Sequence, residues 1–295
     1  AVLYATDNGA KIIQSALGTV NNSRFSQAAI DYAYDHGVIT VASMADENAR
    51  HHNMPTVSNH TLPVHAIQYA GEKITEARTF LQYHPCSNYG GHNFLSASGT
   101  SCSSEATGQT SGIVGLVWSA GIQHDMDLSP GEVFQLMIMG ADDIDVPESQ
   151  QEGAADRWSQ PGFDQRFGYG RVNANNAVEA VVQGHIPPEV DIVSPTWYSV
   201  LYKDQVTSGV DILGTVRARR AASFDYVVEW APGVQPLDGA FKTIGEGSGG
   251  PDDIVGGDKP LASFDIRQIQ ELPIPPEAWD VDSELGENQY TVTVR

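Results

Sequence analysis

The chain is poor in positive charge: 16 Lys and Arg stand against 37 Asp and Glu, a formal net charge of -21 over 295 residues. Phosphate would be repelled rather than neutralised, so the reading is no nucleic-acid partner, with the acidity serving solubility in a secreted or salt-exposed setting. Cysteine is scarcer still. With two residues, Cys86 and Cys102, this is no disulfide scaffold. Buried free thiols are the commoner state at this count, and a bridge between them, flanking the segment that leads into a serine turn, is the open alternative. No apolar run is long enough to span a bilayer, and no charged-then-apolar leader stands at Ala1. The chain opens in helical pattern (Val2, Leu3, Tyr4, Ala5) and closes inside an alternating strand (Tyr290 to Arg295). Both ends read as cuts through a longer polypeptide of extracellular or secreted location.

What is present is an ordinary globular composition, 41% hydrophobic, with enough residues for one large domain and a smaller one. Lys11 to Gly18 reads as a buried strand, Phe25 to His36 as an amphipathic helix stopped by Gly37, and Val38 to Ala42 as a second strand. Strand, helix, strand predicts a right-handed βαβ unit and a parallel sheet covered on both faces, with ligands beyond the C-terminal strand ends. A third strand is predicted at Val64 to Tyr69 and a helix at Thr110 to Ser119, whose Gly112 and Gly115 should allow close approach to the sheet. Ser129-Pro130-Gly131-Glu132 opens another helix through a capping box. Residues 142 to 167 read as a polar surface excursion, and Ala174 to Val182 as a closing helix.

Beyond the linker 184–188 the pattern changes to short β runs, at Val190 to Val193, Val210 to Ala218, Phe224 to Trp230, Phe241 to Ile244, Leu261 to Ile266 and Gln289 to Val294. Residues 189–295 therefore predict a small β-sandwich of the immunoglobulin or fibronectin-III kind, cut before its last pairing. Asp252-Asp253 and Asp280-Val281-Asp282 with Glu284 offer oxygen ligands for a structural calcium, although such loop ends are more often simply solvated. The histidine pair His51-His52 is read as loop rather than as a metal site.

The run Ser98-Gly99-Thr100-Ser101-Cys102-Ser103-Ser104 carries the chemistry. It sets a serine on a Gly-led turn directly before a small-residue helix, whose unpaired N–H groups and positive dipole end suit a developing oxyanion. A Ser/Thr N-cap is the plain alternative. Its neighbours along the chain decide between the two.

"VLYATDNGAKIIQSALG", "QAAIDYAYDHGVITVASMADEN", "SNYG" followed by "SGTSCSS", and "GYGRVNANNAV" occur in the order found in subtilisin-like serine peptidases, over roughly residues 1 to 182. The resemblance implies that residues 1–183 are the C-terminal part of a subtilisin-like domain, a parallel sheet with helices on both faces. It places Ser101 on the nucleophile and Asp46 where the family carries its oxyanion asparagine. Ala16, Leu17 and Gly18 fall on the strand that pairs with substrate backbone, and Ser43, Met44 and Ala45 on the opposite wall of the specificity pocket. It implies a peptide or protein substrate and no obligatory cofactor.

Three departures follow. The family's aspartate and His-Gly-Thr histidine match positions before Ala1, so this piece alone is expected to be inactive. The Pro-His after the nucleophile is replaced by Glu105-Ala106. Asp46 is acceptor-only when ionised and can donate only when protonated. The leading expectation is a serine endopeptidase acting through an acyl-enzyme on Ser101. A sedolisin-like acid peptidase and a degenerate peptide-binding or scaffold domain remain as alternatives.

Overall fold

The computed structural model describes residues 1–68, 82–84, 86–145, 159–197, 199–202, 206, 208–267 and 291–295. The chain divides into two compact units, Ala1–Pro187 and Pro188–Arg295.

In the first unit α1 (Val2–Asp7) leads to β1 (Ile12–Ser15), α2 (Arg24–Asp35), β2 (Ile39–Ser43) and β3 (Thr61–Gln68), followed by β4 (Gln82–Tyr83) and β5 (Leu95–Ser98). Strands β1, β2 and β3 are parallel and in sequence, with Gln14 opposite Val41 and Val41 opposite Leu62. Strand β5 also lies parallel to β3, with Val64 opposite Leu95, and β4 adds a short antiparallel pairing at Ile67. The parallel α/β architecture is therefore as the pattern predicts. Ile39, Val41, Leu62, Val64 and Leu95 are fully buried, as a sheet covered on both faces requires. Each such side chain contributes roughly 1.5–3 kcal/mol of burial.

Three helices follow: α3 (Cys102–Gln123), α4 (Pro130–Met139) and α5 (Ala174–Val182). Helix α3 begins at the serine turn itself, earlier than the apolar spacing indicates. Its polar first half satisfies its hydroxyls against its own backbone, Thr107 Oγ1 donating to Ser103 O at 2.7 Å and Thr110 Oγ1 to Ala106 O at 2.9 Å. Val114, Val117 and Trp118 bury its inner face. Gly112 does not mediate the close approach to the sheet assigned to it, since a side chain there would meet open space; Gly115 does face the sheet, where a Cβ would lie 3.6 Å from Ile12 of β1, and Gly121 packs instead against Leu128 beyond the helix. Helix α4 carries the expected capping box, with Ser129 Oγ accepting from Glu132 N–H and Glu132 Oε2 from Ser129 N–H.

Residues 159–167 are not the surface excursion that their polarity predicts. Ser159, Gln160, Asp164, Arg166 and Phe167 are all buried, and the Arg166 guanidinium lies 3.2 Å from the centre of the Tyr89 ring. The cation–π contact, worth roughly 0.5–2 kcal/mol, offsets part of the cost of taking the guanidinium out of water, and periodicity cannot reveal it.

The second unit comprises β6 (Glu189–Ser194), β7 (Val210–Arg217), β8 (Phe224–Pro232), β9 (Lys242–Gly249), β10 (Val255–Gly256), β11 (Ala262–Phe264) and β12 (Val292–Val294). They form two antiparallel sheets, one around β7 and one around β8. Ile212, Val216, Val228, Trp230, Leu261 and Phe264 pack into one core, with the Trp230 and Phe264 rings 4.6 Å apart.

Candidate functional site

The site lies where the parallel strands end. Gly99 continues β5 by donating its N–H to Ile67 O at 3.1 Å. A Cβ at Gly99 would come within 2.6 Å of Cys102 O, so only glycine fits the turn. Ser101 follows as the N-cap of α3, exposed, at φ -114° and ψ 48°, and Cys102 takes a left-handed φ of 58°. Among the described residues the Ser101 hydroxyl makes no cap hydrogen bond, and the residue is exposed.

Its backbone is occupied. Glu105 Oε2 accepts the Ser101 N–H at 2.9 Å, the Thr100 N–H at 2.8 Å and the Thr100 hydroxyl at 2.9 Å. The Thr100 hydroxyl first, and then the two amides, hold the Glu105 carboxyl below the usual carboxylate range. One turn on, Asp46 Oδ1 accepts the Ser103 N–H at 3.0 Å and the Ser103 hydroxyl at 2.6 Å. Asp46 thus serves as an acceptor at the start of α3, where the helix dipole favours a carboxylate.

Ser103 is fully buried and joins the two sides of the site. Its Oγ also lies 2.6 Å from Ser43 Oγ and 3.1 Å from Ala45 O, while Ser43 Oγ accepts Ala45 N–H at 3.1 Å. These bonds fix Ala45 at a φ of 67°. Ser43, Met44 and Ala45 are buried, and the Met44 N–H is bonded to Val64 O, so Ser43 and Met44 offer a peptide no surface here and act from behind the site. Ala16, Leu17 and Gly18 lie just past the end of β1 and are exposed, with Leu17 at 72%. The Ser104 hydroxyl donates to Ala16 O at 3.3 Å. Thr19 then pairs with Met54, closing the open segment.

The loop after β4 completes the surroundings. Cys86 and Cys102 are bonded to each other, which corrects the free-thiol expectation. A fold that brings two cysteines 16 residues apart to a Cα separation of 5.9 Å determines this, and composition does not. His84 Nδ1 lies 2.7 Å from Cys86 Sγ. His84, Cys86 and Cys102 cluster closely enough for a metal, but sulfurs joined to each other offer no thiolate. Asn88 Oδ1 accepts the N–H groups of Glu47 and Ala49, and Asn88 O bonds His65 Nδ1 at 2.7 Å. Burial pushes His52 and His65 down to about 3, and His92 well below its ordinary value. These imidazoles are neutral packing groups. His52 in particular accepts His92 N–H, which supports its reading as structural.

Of the acidic pairs in the second unit, Asp253 caps its own turn by accepting Gly250 N–H at 2.7 Å. Asp280, Asp282 and Glu284 lie outside the described residues, as do Tyr69 and Gln289 at the ends of predicted strands. The sequence reading missed Ser103, Glu105 and Asn88. The spacing of Glu105 four residues after Ser101 was the available signal, since i and i+4 meet on a helix; Ser103 and Asn88 have none.

The family whose sequence model matches this chain is the Subtilase family, over residues 1–170. Thermophilic serine proteinase of Bacillus sp. (strain AK1) is 25% identical over 178 residues, covering 60% of this chain and 40% of its own length. Fervidolysin of Fervidobacterium pennivorans is 34% identical over 71 residues, 24% of this chain and 10% of its own. The chain therefore spans less than half the length of either relative. Among solved structures, the prenylagaramide maturation protease PagA aligns at a TM-score of 0.49 and 19% identity, covering 61% of this chain and 65% of its own. The self-cleaved protease domain of PatA aligns at 0.48 and 19%, covering 62% and 66%. Among the described residues no helix is long and apolar enough to cross a membrane.

Proposed function

The chain belongs to the subtilase family, and from that premise we propose that it is the Ser101-bearing part of a serine endopeptidase. The observation that carries the reading is the position of Ser101: an exposed hydroxyl at the C-terminal end of a parallel strand, on a turn that only Gly99 permits, at the head of a 22-residue helix. In this reading Ser101 Oγ attacks the scissile carbonyl carbon and its proton passes to an imidazole base. The C–N bond then breaks, the amine leaves with that proton, and water releases the acyl group. The chain spans less than half the length of the curated relatives, and in this reading the base and the carboxylate that orients it come from the part of the protein the chain does not span.

The backbone of Ala16 to Gly18 receives the peptide as an added strand, and Ser43 to Ala45, buried here, back the facing wall. Exposure of the first segment beyond β1 supports this assignment. The peptide substrate, an extracellular location and a structural calcium belong to the same proposal.

The test is labelling of the full-length protein with a fluorophosphonate. Ser101 should carry the label, and Ser101→Ala should abolish labelling and peptide hydrolysis together. Hydrolysis that survives Ser101→Ala overturns the assignment. A folded, unlabelled and inactive wild type instead selects the degenerate peptide-binding domain.

A further inference from the structure

A serine nucleophile on a helix N-terminus uses its own amide as a donor to the developing oxyanion, and that amide has one hydrogen. Here the hydrogen is already given to Glu105 Oε2 at 2.9 Å. The same oxygen takes the Thr100 amide and hydroxyl, so three donors of the nucleophile turn converge on one carboxylate oxygen. Glu105 Oε1 faces Gln109 Nε2 at 3.5 Å, a long contact that restrains the group weakly. The carboxylate thus places a full negative charge where a tetrahedral intermediate would develop its own.

We propose that Glu105 is an internal competitor for the oxyanion position, holding the Ser101 amide in the bound complex until the developing oxyanion displaces it. This rests on the assignment of Ser101 as nucleophile. Glu105 is a gating residue that forms no bond to substrate. The contact it denies exists only in the transition state, so its effect belongs in kcat and leaves KM nearly unchanged. Its side chain is only partly buried, and Gln109 offers an alternative partner one turn along, so displacement requires rotation of the side chain and no movement of the backbone.

The experiment uses the full-length protein with Glu105→Ala and Glu105→Gln, each alone and combined with Ser101→Ala. Measured are kcat and KM on one peptide, inhibition by a peptide aldehyde whose hemiacetal oxygen occupies the oxyanion position, and thermal unfolding. Glu105→Ala should raise kcat on the order of 10- to 100-fold, short of the roughly 100- to 1000-fold that one oxyanion donor is worth. The aldehyde should bind tighter by a similar factor. Glu105→Gln keeps the shape and an acceptor but no charge, and should give a smaller rise in both; it decides the matter if the alanine variant does not fold. Folded variants with kcat and aldehyde affinity unchanged or lowered make Glu105 a helix cap alone and overturn the proposal, while Ser101 labelling leaves the nucleophile standing. Turnover that persists in the Ser101→Ala combinations, or a folded protein that neither labels nor turns over in any variant, overturns the nucleophile and the gate together.

Discussion

Cys102 is joined to Cys86, so the residue after the proposed nucleophile, held at a left-handed φ of 58°, is tied covalently to the loop that follows β4. That loop in turn holds the strand β2 side of the site, because Asn88 N–H donates to Ala45 O at 3.0 Å and Asn48 N–H to Cys86 O at 3.0 Å. The turn is therefore braced from its far side by one covalent and several hydrogen bonds. A dithiol, rather than an oxidant, is the reagent to which this arrangement should respond.

Reduction, or the double change Cys86→Ser and Cys102→Ser, should lower stability by about 3 kcal/mol, the chain-entropy value for closing a loop of this length. Fluorophosphonate labelling of Ser101 should slow in parallel. Denaturant unfolding with and without reductant gives the first number. Equal midpoints would show that the bridge does not restrain this turn.

Gly99→Ala should disrupt the turn specifically, since the added Cβ would meet Cys102 O at 2.6 Å. Relief requires moving backbone, at a cost of roughly 1–3 kcal/mol and probe labelling reduced at least tenfold. Gly112→Ala is the control: with open space around it and a helical backbone, it should be neutral or stabilise by up to about 1 kcal/mol. Similar damage from both would mean that helix α3, and not the turn, is the sensitive element.

Asp46→Asn should keep the bond from Ser103 N–H through the amide oxygen while adding a permanent donor at the head of α3. In the full-length enzyme at neutral pH, turnover should rise by at least tenfold if Asp46 stands at the oxyanion position, given that such a donor is worth roughly 100- to 1000-fold. Ser103→Ala removes the hydroxyl bond to Asp46 while the backbone bond remains, and leaves the buried Ser43 hydroxyl without its acceptor, costing about 1–3 kcal/mol of stability. Peptide hydrolysis and thermal unfolding measure the two arms. Unchanged turnover in folded Asp46→Asn removes residue 46 from the oxyanion site.

Acid should destabilise the chain through its buried imidazoles. The folded values of His52 and His65 lie near 3 and that of His92 well below ordinary, against 6.5 unfolded, so below about pH 6.5 the unfolded chain binds more protons and stability falls as pH falls. Asp164 works against this. Its burial raises it from 3.8 to about 7, so between those values the folded chain binds the extra proton and stability falls as pH rises. Each group contributes about 1.4 kcal/mol per pH unit within its window, so three imidazoles outweigh one carboxyl and the net effect of acid is loss. Asp164→Asn should steepen the acid loss and raise stability above pH 7, while still accepting the Arg166 and Phe167 amides. Urea midpoints at pH 5, 6, 7 and 8 test both signs. A wild-type midpoint that is flat or rises toward pH 5 contradicts this account.

The parallel sheet, the capping box at Ser129 and the serine turn were legible in the sequence, because each is set by neighbours along the chain. Alternating or continuous apolar runs make the strands β1, β2 and β3, and a glycine two residues before Ser101 admits the turn. What could not be read was anything made by residues distant in sequence. The bond between Cys86 and Cys102, the burial of Asp164 and of Arg166 against Tyr89, and Ser103 joining Ser43, Ala45 and Asp46 all depend on which loops the parallel sheet brings to its C-terminal edge. Even Glu105, only four residues from Ser101, shows in the sequence only as a replacement after the nucleophile. Its meaning lies in the direction its carboxylate takes, back over the first turn of α3 to the Ser101 amide, and only the folded backbone sets that direction. Local chemistry specified that a serine stands on a turn; tertiary packing decided which anions share it.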